Sequence, residues 1–250
     1  MIEAFYQKMA IPETCYLGKR IYKKHFYENA SLSTADQKAF TDDIDDIQWL
    51  YTLKPETIHI PRYQDDEREY QEIAIIQVNL KNRNNYKRIA QVIHRAIPYP
   101  LLLVFADESN FALSITDKRI NKADREKITV AAFYESDWID LDNKTDTQQA
   151  FLDSCLITCF SYQNLYEFYC DLTERIIALN CAYISGKYSI DDTKTKDHRI
   201  QLLTQIQQTQ KQLAVLRTAM KNESQFNKKV QLNMQIKKLA EDLEHSKKQI

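Results

Sequence analysis

The chain has 250 residues, of which 44% are hydrophobic and 28% are charged, and it carries a formal net charge of −1. This balance predicts a soluble protein with one substantial core plus an appendage, and no run approaches the ~18 consecutive apolar residues of a membrane-spanning helix. Only 2 glycines and 5 prolines occur. Gly-rich phosphate loops and a β-barrel closed by tight turns are therefore disfavoured.

Cysteine usage indicates a reducing compartment. The five cysteines are Cys15, Cys155, Cys159, Cys170 and Cys181. Their odd number, the absence of paired Cys-x-x-Cys spacing and the lack of a signal peptide predict reduced thiols in the cytoplasm. Cys155 and Cys159 are placed to share a helix face, but no histidine or further cysteine lies nearby. We therefore expect packed core residues, and neither a metal nor another cofactor is predicted.

The charge is unevenly distributed along the chain. Residues 199–250 contain ten Lys or Arg and four Asp or Glu, so this segment carries +6 and residues 1–198 carry −7. A basic segment of this kind attracts a nucleic-acid backbone or an acidic protein surface. It is equally typical of the solvated face of a helical hairpin.

A stretch of basic and aromatic residues, IPETCYLGKRIYKKHFY, lies near the start of the chain and predicts a basic arm. Lys19, Arg20, Lys23 and Lys24 follow the flexible point at Gly18. Cations for phosphate and rings for stacking are the side chains of a nucleic-acid contact. The pattern also fits an extended arm whose rings pack on the core while its lysines face water, because no complete nucleic-acid-binding motif is present.

Residues 33–51 are predicted to form one amphipathic helix. Ser33 or Ser31 is a candidate N-cap, with Asp36 favourably placed against the helix dipole. Phe40, Ile44 and Ile47 then recur at helical spacing. The aspartates that then lie largely on the solvated face are Asp42, Asp43, Asp45 and Asp46. A calcium loop is not indicated, because its glycine and its alternate-residue spacing are missing.

A strand–helix–strand unit from Glu72 to Phe105 is predicted to organise the fold, and TIHIP before it predicts a short strand ending at Pro61. In the first strand of the unit, one face is apolar throughout and the other turns polar, which favours a central position in a sheet. The helix begins near Tyr86 and carries an apolar stripe, with its basic residues and His94 facing away. LLLVF then predicts a buried strand parallel to the first.

Two further strands follow, FALSITDKR and ITVAAFYESDWIDL, with the polar loop NKADREK at 121–127 between them. The first is predicted to pair antiparallel with LLLVF. The resulting order of β, α, β, β, β predicts an α+β fold with a mixed β-sheet packed with helices.

An apolar helical region begins at Asp146 and ends at Gly186. Its apolar residues occupy more than one stripe, so we expect burial on several sides or a split into two helices. The polar tract SIDDTKTKD that follows predicts a linker. The domain prediction is therefore an α+β domain with a basic N-terminal arm at 1–190, and a linker with a C-terminal helical hairpin at 191–250.

The C-terminal segment shows two heptad seams that are out of phase, which predicts an antiparallel coiled-coil hairpin turning near 221–225. The predicted interface residues are Leu213, Leu216, Leu232, Ile236, Leu239 and Leu243. A hairpin of this size buries little of its own surface. It would be completed by docking onto the globular part, onto a second copy in a homo-oligomer, or onto another subunit.

No catalytic motif is complete, and the five histidines are scattered. The closest partial match is to a divergent metal-dependent nuclease, in which Glu72 and Lys81 would be the catalytic residues. A restriction-type nuclease places a carboxylate and a lysine two residues apart on a strand. Asn79 occupies that carboxylate position here, and no aspartate is predicted to open a preceding strand. A non-catalytic protein is favoured. The candidate contacts for nucleic acid or a partner are Lys19, Arg20, Lys23, Lys24, Lys118, Arg119, Lys228 and Lys229.

Several stretches together resemble an uncharacterised bacterial family, the domain of unknown function 4391. The most specific are IPYPLLLVF and QFNKKVQLNMQIKKL, and the resemblance covers nearly the whole chain. The family has no established catalytic residues to carry over. The resemblance implies an accessory subunit of a restriction-modification or anti-phage defence system, since members accompany helicases and DNA methyltransferases. The expected partner is such a helicase or methyltransferase, with direct DNA binding as an alternative.

Overall fold

The computed structural model describes residues 2–29, 32–120, 128–190 and 194–250 of a chain that divides into two units, Met1–Ile176 and Ile177–Ile250. The predicted loop at 121–127 and residues 191–193 of the predicted linker lie outside the described residues. Within the described part of the chain, no helix combines the length and the hydropathy needed to cross a membrane.

The strands of the described residues belong to the first unit. They are β1 (Tyr16–Arg20), β2 (Ile44–Leu53), β3 (Tyr63–Gln64), β4 (Glu69–Tyr70), β5 (Ile73–Leu80), β6 (Leu101–Ala106), β7 (Asn110–Ile120), β8 (Ile128–Glu135) and β9 (Ile139–Asp140). The helices are α1 (Glu3–Met9), α2 (Lys23–Asn29), α3 (Thr34–Asp42), α4 (Pro55–Ile58), α5 (Tyr86–Ala96), α6 (Asp146–Ser154), α7 (Leu165–Ser185), α8 (Lys194–Asn222) and α9 (Phe226–Lys248).

One mixed sheet of seven strands has the order β1-β2-β5-β6-β7-β8, with β9 paired to β7, and β3 and β4 form a separate hairpin. Strands β5 and β6 are parallel and are joined by α5, whereas the other neighbours are antiparallel. The prediction of an α+β fold built on a β-α-β-β-β core is confirmed. Strand β5 is interior, as its two apolar faces predict.

The core packs α5 against one face of the sheet. Ala74, Ile76 and Val78 of β5 lie in the same buried cluster as Ile89 and Ile93 of α5. The alternation of side chains along a strand explains why Gln77 and Asn79 are on the opposite face. Burying each large aliphatic side chain stabilises the unit by roughly 1.5–3 kcal/mol.

The prediction that His94 faces solvent is wrong, because this side chain is 1% exposed. Strand β7 places two hydroxyls opposite it. His94 Nε2 lies 3.1 Å from Ser114 Oγ, and Nδ1 lies 3.3 Å from Thr116 Oγ1. Burial lowers the pKa of His94 well below its ordinary value, so the ring is a neutral core group.

The helix predicted over residues 33–51 is correct only as far as Asp42. Ser33, one of the two predicted N-caps, caps α3, and its bonds with Asp36 form a capping box. The other, Ser31, lies outside the described residues. Residues 44–53 form strand β2 instead of more helix. The pairing with β5 shifts register between Ile44 and Asp46, so Ile44 and Ile47 both reach the core although they are three residues apart. A β-bulge therefore imitates helical spacing in the sequence.

Two shorter predictions also fail. TIHIP is not a strand: Pro55–Ile58 is a single helical turn with proline near its start, and His59 ends it in the left-handed region at φ +59°. Cys155 is buried as expected, but Cys159 is exposed in a 3₁₀ turn after α6, so the pair does not share a helix face. The apolar region from Asp146 does split into two helices, α6 and α7, as predicted.

The second unit contains the predicted helical hairpin. Residues 223–225 connect α8 to α9. Ile206, Leu213 and Leu243 are buried in one cluster, and Ile236 and Leu239 pack against it half-buried. The other predicted seam residues, Leu216 and Leu232, are half-buried as well. Helix α8 begins at Lys194, so the end of the predicted linker is helical.

Candidate nucleic-acid interface

A row of hydrogen-bonded polar side chains crosses β2 and β5 on the face opposite α5. The bulge in β2 places Asp46 directly across from Asn79. Asn79 Nδ2 donates to Asp46 Oδ1 at 2.5 Å, and Gln77 Nε2 donates to Asn79 Oδ1 at 2.7 Å. Tyr6 Oη donates to Gln77 at 2.9 Å, and Gln48 Nε2 donates to Asp46 Oδ2 at 2.6 Å. We call Tyr6, Gln77, Asn79, Asp46 and Gln48 the polar row.

The polar row fixes the amide of Asn79. Gln77 and Tyr6 are each 8% exposed, and burial raises the pKa of Tyr6 well above its ordinary value, so its hydroxyl stays a donor. Tyr6 donates to the side-chain oxygen of Gln77, and Gln77 donates to the side-chain oxygen of Asn79. Since the oxygen of Asn79 is used as an acceptor, its NH₂ group is the part that faces Asp46. Both oxygens of Asp46 thus accept hydrogen bonds from amide N–H groups, Oδ1 from Asn79 and Oδ2 from Gln48.

Three cations surround the Asp46 end of this row, and we call Arg20, Lys23 and Lys81 the basic cluster. Arg20 pairs in register with Gln48, so its side chain shares the face of the polar row. Lys23 Nζ donates to the carbonyl oxygen of Ile44 at 2.6 Å. Its pKa is lowered by burial and next by the charge of Lys81, with a smaller effect from Arg20. The cations are therefore close enough to repel one another, and an anion between them would relieve that repulsion.

The acidic residues near the basic cluster leave it with a cationic excess. Lys81 Nζ lies 3.8 Å from Asp45 Oδ1, and both side chains are exposed, at 56% and 65%. A surface pair of this kind is weak and exchanges readily with another anion. Asp43, at the end of α3, is buried, and its carboxylate accepts from Asn85 Nδ2 in the loop after β5 at 2.6 Å. Among the described residues, Asp45 and Asp46 are the carboxylates whose charges act on these cations.

The ligand set of a nuclease is incomplete at this position. The expectation that no aspartate opens a preceding strand is wrong, since Asp46 lies near the start of β2. The second carboxylate is absent, because Asn79 fills its place two residues before Lys81. In the described ranges, no three His, Cys, Asp or Glu side chains lie close enough together to hold a metal ion. A hard cation such as Mg²⁺ prefers carboxylate oxygens, and an amide already engaged as a donor is a poor substitute.

The structure does not bring Glu72 and Lys81 together. They flank the eight-residue β5 and are therefore roughly 30 Å apart at about 3.3 Å per residue. Glu72 instead lies 3.1 Å from Lys54 Nζ, and its side chain is 17% exposed. A shared catalytic role for Glu72 and Lys81 is excluded by this separation.

Lys54 and Glu72 line a cleft of about 390 Å³ at the other end of β5. Its remaining walls come from β1, from β2 and from the turns beside them. They are Thr14, Cys15, Tyr16, Leu17, Lys19, Trp49, Thr52 and Thr57. Lys19 and Arg20 are neighbours on a strand, and their side chains point to opposite faces. The cleft and the basic cluster are thus separate features on the two sides of one edge strand.

A family profile matches residues 9–243, nearly the full length, under the description "Domain of unknown function (DUF4391)". The chain belongs to this family. The resemblance inferred from IPYPLLLVF and QFNKKVQLNMQIKKL is confirmed. No curated protein and no solved structure matches the DUF4391 chain.

Among the other predicted cations of this DUF4391 chain, two of those in the first unit form ion pairs. Lys24 pairs with Glu28 at 3.3 Å on the exposed face of α2. Arg119 pairs with Asp117 at 3.0 Å and with Glu67 at 3.5 Å. Two further candidates, Lys228 and Lys229, are exposed in α9 of the second unit.

Lys118 is not a surface contact, which corrects its assignment from sequence. It is 3% exposed, and its Nζ donates to the backbone carbonyl oxygens of Ile97 and of Tyr99, the latter at 2.7 Å. Burial lowers the pKa of Lys118 to about 7. The alternation of β7 places it on the buried side of the strand, where phosphate has no access.

Sequence reasoning missed Asp46 and Trp49 as site residues in this DUF4391 chain. Both lie on β2, which was predicted as helix, and the pairing that brings Asp46 to Asn79 depends on the bulge. The available signal was the β-branched and aromatic content of IDDIQWLY, which is typical of a strand. The apolar spacing of three residues outweighed it.

Proposed function

We propose that this DUF4391 chain is a non-catalytic accessory subunit of a bacterial DNA-targeting defence or restriction-modification system. Its basic cluster contacts the DNA backbone, and its C-terminal hairpin binds a helicase or DNA methyltransferase. The observation that carries the proposal is the amide of Asn79 beside Asp46. The strand pair has the aspartate and lysine of a phosphate-directed site without the carboxylate pair that would hold a metal ion.

The basic cluster suits phosphate for electrostatic and steric reasons. Lys23 is held in place by its hydrogen bond to Ile44, so little side-chain entropy is lost when it meets an anion. Lys81 is exposed, and its one ion pair within the described part of the chain is the weak one with Asp45. Charge-assisted hydrogen bonds to phosphate are stronger than neutral ones. These contacts read charge and not base sequence, which fits a subunit whose partner supplies specificity.

A second feature of the hairpin, an exposed apolar stripe next to its turn, favours binding to a protein partner. Phe226, Val230 and Met234 are 78%, 43% and 69% exposed. They are spaced by four residues and so lie on one face of α9, away from the seam at Ile236 and Leu239. Residues 211–238 carry seven Lys or Arg and one glutamate. An exposed apolar stripe among cations fits a groove with a carboxylate rim on another protein. Two copies of this chain would repel one another through the same face.

Co-expression with any helicase or DNA methyltransferase that is encoded beside the gene tests the partner proposal. We expect one of them to co-purify with the full chain and to be lost with Met234→Asp, because a charge would enter the apolar contact. Gln235→Asp is the matched control: the residue is exposed and lies about 140° around α9 from Val230. Equal recovery with both variants would remove the stripe from the interface. Failure of every neighbour to co-purify would refute the accessory role.

A second candidate function is a divergent metal-dependent nuclease, favoured by Asp46 lying across from Asn79 with Lys81 two residues further along β5. The test is cleavage of single-stranded, double-stranded and branched DNA with Mg²⁺ or Mn²⁺. The non-catalytic proposal expects no cleavage above that of Asp46→Asn and Lys81→Ala. Cleavage that both variants abolish, and that Glu72→Gln at the far end of β5 leaves intact, would overturn it.

A further inference from the structure

An exposed tyrosine ring, that of Tyr16, lies on the same face of the sheet as the basic cluster. Tyr16 is paired in register with Tyr51 of β2, and Tyr51 is paired with Ile75 of β5. Ile75 comes two residues before Gln77, so these side chains share the face of the polar row. The ring centroids of Tyr51 and Tyr6 are 5.5 Å apart, in agreement with this placement. Because Tyr16 is 60% exposed, its ring forms part of the surface on this face.

Two contacts hold the Tyr16 ring in place. Its centroid lies 5.5 Å from that of Tyr51 in an edge-on contact. Gly18 has φ +61°, which favours glycine, and a Cβ at position 18 would lie 2.7 Å from Tyr16 Oη. The ring therefore folds back over the glycine. A ring that is already held in this way loses little conformational entropy when a ligand stacks on it.

A second exposed ring, that of Tyr22, lies beside the basic cluster. Tyr22 is 62% exposed, and Arg20 Cζ lies 5.8 Å from the centroid of its ring. The chain is tied to β2 on both sides of this residue. Ile21 N donates to the carbonyl oxygen of Ile47 at 2.8 Å, and Lys23 makes the hydrogen bond to β2 described above. Tyr22 thus has a defined position next to a cation of the cluster.

Rings and cations together favour an unpaired strand over a duplex. In single-stranded DNA the faces of the bases can stack on aromatic side chains while cations hold the backbone. In a duplex the neighbouring base pairs cover those faces, so an aromatic side chain gains a stacking contact only if a base leaves the stack. Cations alone suit either form of DNA. The two rings are what distinguishes them.

We propose that the basic cluster binds single-stranded DNA in preference to a duplex, with bases stacked on Tyr16 and on Tyr22. This inference rests on the DNA-backbone contact proposed above and names the form of DNA that makes it. Tyr16 and Arg20 are four residues apart on β1, which is roughly 12 Å, and Tyr22 lies beyond Arg20. The two rings therefore take different bases of one strand, with the phosphates between them near Arg20.

Fluorescence anisotropy of the full chain with a labelled single strand and with the matching labelled duplex tests this preference. We expect the single strand to bind roughly tenfold more tightly, or better, at the same salt concentration. Tyr16→Leu and Tyr22→Leu should each weaken single-strand binding roughly tenfold and leave duplex binding unchanged. Neither variant removes a charge, so both should keep the salt dependence of the single strand. Its slope is about −2.1 for three contacts, at roughly −0.7 per contact.

Control variants separate the loss of a ring from damage to the fold. Tyr16→Phe keeps the ring and should retain the wild-type affinity. Tyr99→Leu, at an exposed tyrosine that contacts Trp49 on the α5 face of the sheet, should have no effect. Far-UV circular dichroism checks the fold of each variant, and Tyr22→Leu decides the matter if Tyr16→Leu unfolds.

Two results would overturn the preference for a single strand and leave the backbone contact standing. One is duplex binding as tight as single-strand binding, and the other is single-strand binding that neither ring variant weakens. Absence of binding to both forms of DNA would instead refute the backbone contact, and this inference with it.

Discussion

The salt dependence of DNA binding tests the basic cluster most directly, because the slope counts phosphate contacts. Arg20, Lys23 and Lys81 supply three cations on one face. If each neutralises one phosphate of a duplex, the slope of log K against log[salt] should be about −2.7, at roughly −0.9 per contact. Affinity should then fall about 40-fold between 50 and 200 mM salt. Fluorescence anisotropy with a labelled duplex at several KCl concentrations measures this slope.

Lys81→Met is the informative perturbation, because this side chain is 56% exposed and Lys23 also supports the backbone at Ile44. Removing one contact should bring the slope to about −1.8, with a fall of about 12-fold over the same range. Affinity at low salt should drop as well, since Asp45 loses its partner and then repels phosphate. Asp45→Asn should have the opposite effect on affinity. Lys38→Met should leave the slope unchanged and serves as the control.

Two results would refute this reasoning. A wild-type slope near zero would mean that no phosphate is neutralised, and the proposed DNA contact would fail. A clear slope that Lys81→Met leaves unchanged would place the contact elsewhere. If Lys228→Met or Lys229→Met then made the salt-dependence slope shallower, the hairpin would be the DNA-binding element.

Three further predictions concern stability. Lys118 has a pKa of about 7 in the folded chain against about 10.5 when exposed. Because the unfolded state binds more protons between these pH values, the free energy of unfolding should rise by about 2 kcal/mol from pH 7 to pH 9. Urea unfolding at both pH values should show this rise, and Lys118→Met should abolish it. Leu213→Ala should cost about 2–4 kcal/mol and speed amide exchange in α8 and α9, whereas Val215→Ala, at a 67% exposed position, should change little. Ser33→Ala removes the cap of α3 and its bond to Asp36, and should cost about 1 kcal/mol in denaturant unfolding.

Strong local periodicity explains which parts of the fold could be predicted. The strand–helix–strand unit from Glu72 to Phe105 and the two heptad seams repeat their pattern over many residues, so the sequence specifies each element by itself. Ser33 was recognisable because a capping box is a local signal. The orientation of His94 was not recognisable, because Ser114 and Thr116 come from a strand about twenty residues further on.

The candidate site was harder to predict because it depends on register between distant strands. The sequence predicts Lys23 as part of a basic arm and Lys81 as part of an alternative nuclease site. Their closeness follows from α2 starting beside the end of β5, which no local pattern encodes. The cleft residues Lys19, Trp49 and Glu72 likewise come from three strands or strand ends. Cross-strand pairing sets these neighbours, and a bulge shifts it by one residue.

The β2 bulge and the identity of residue 79 together decide what the polar row does. The bulge brings Asp46 within 2.5 Å of Asn79 Nδ2. A carboxylate at position 79 would meet Asp46 at close range, and two carboxylates so near cannot both stay ionised without a proton or a metal ion. The amide removes that conflict, so the strand pair is satisfied with no ion bound. The neighbouring cations are then not drawn onto a second carboxylate, as the proposed contact with a DNA backbone requires.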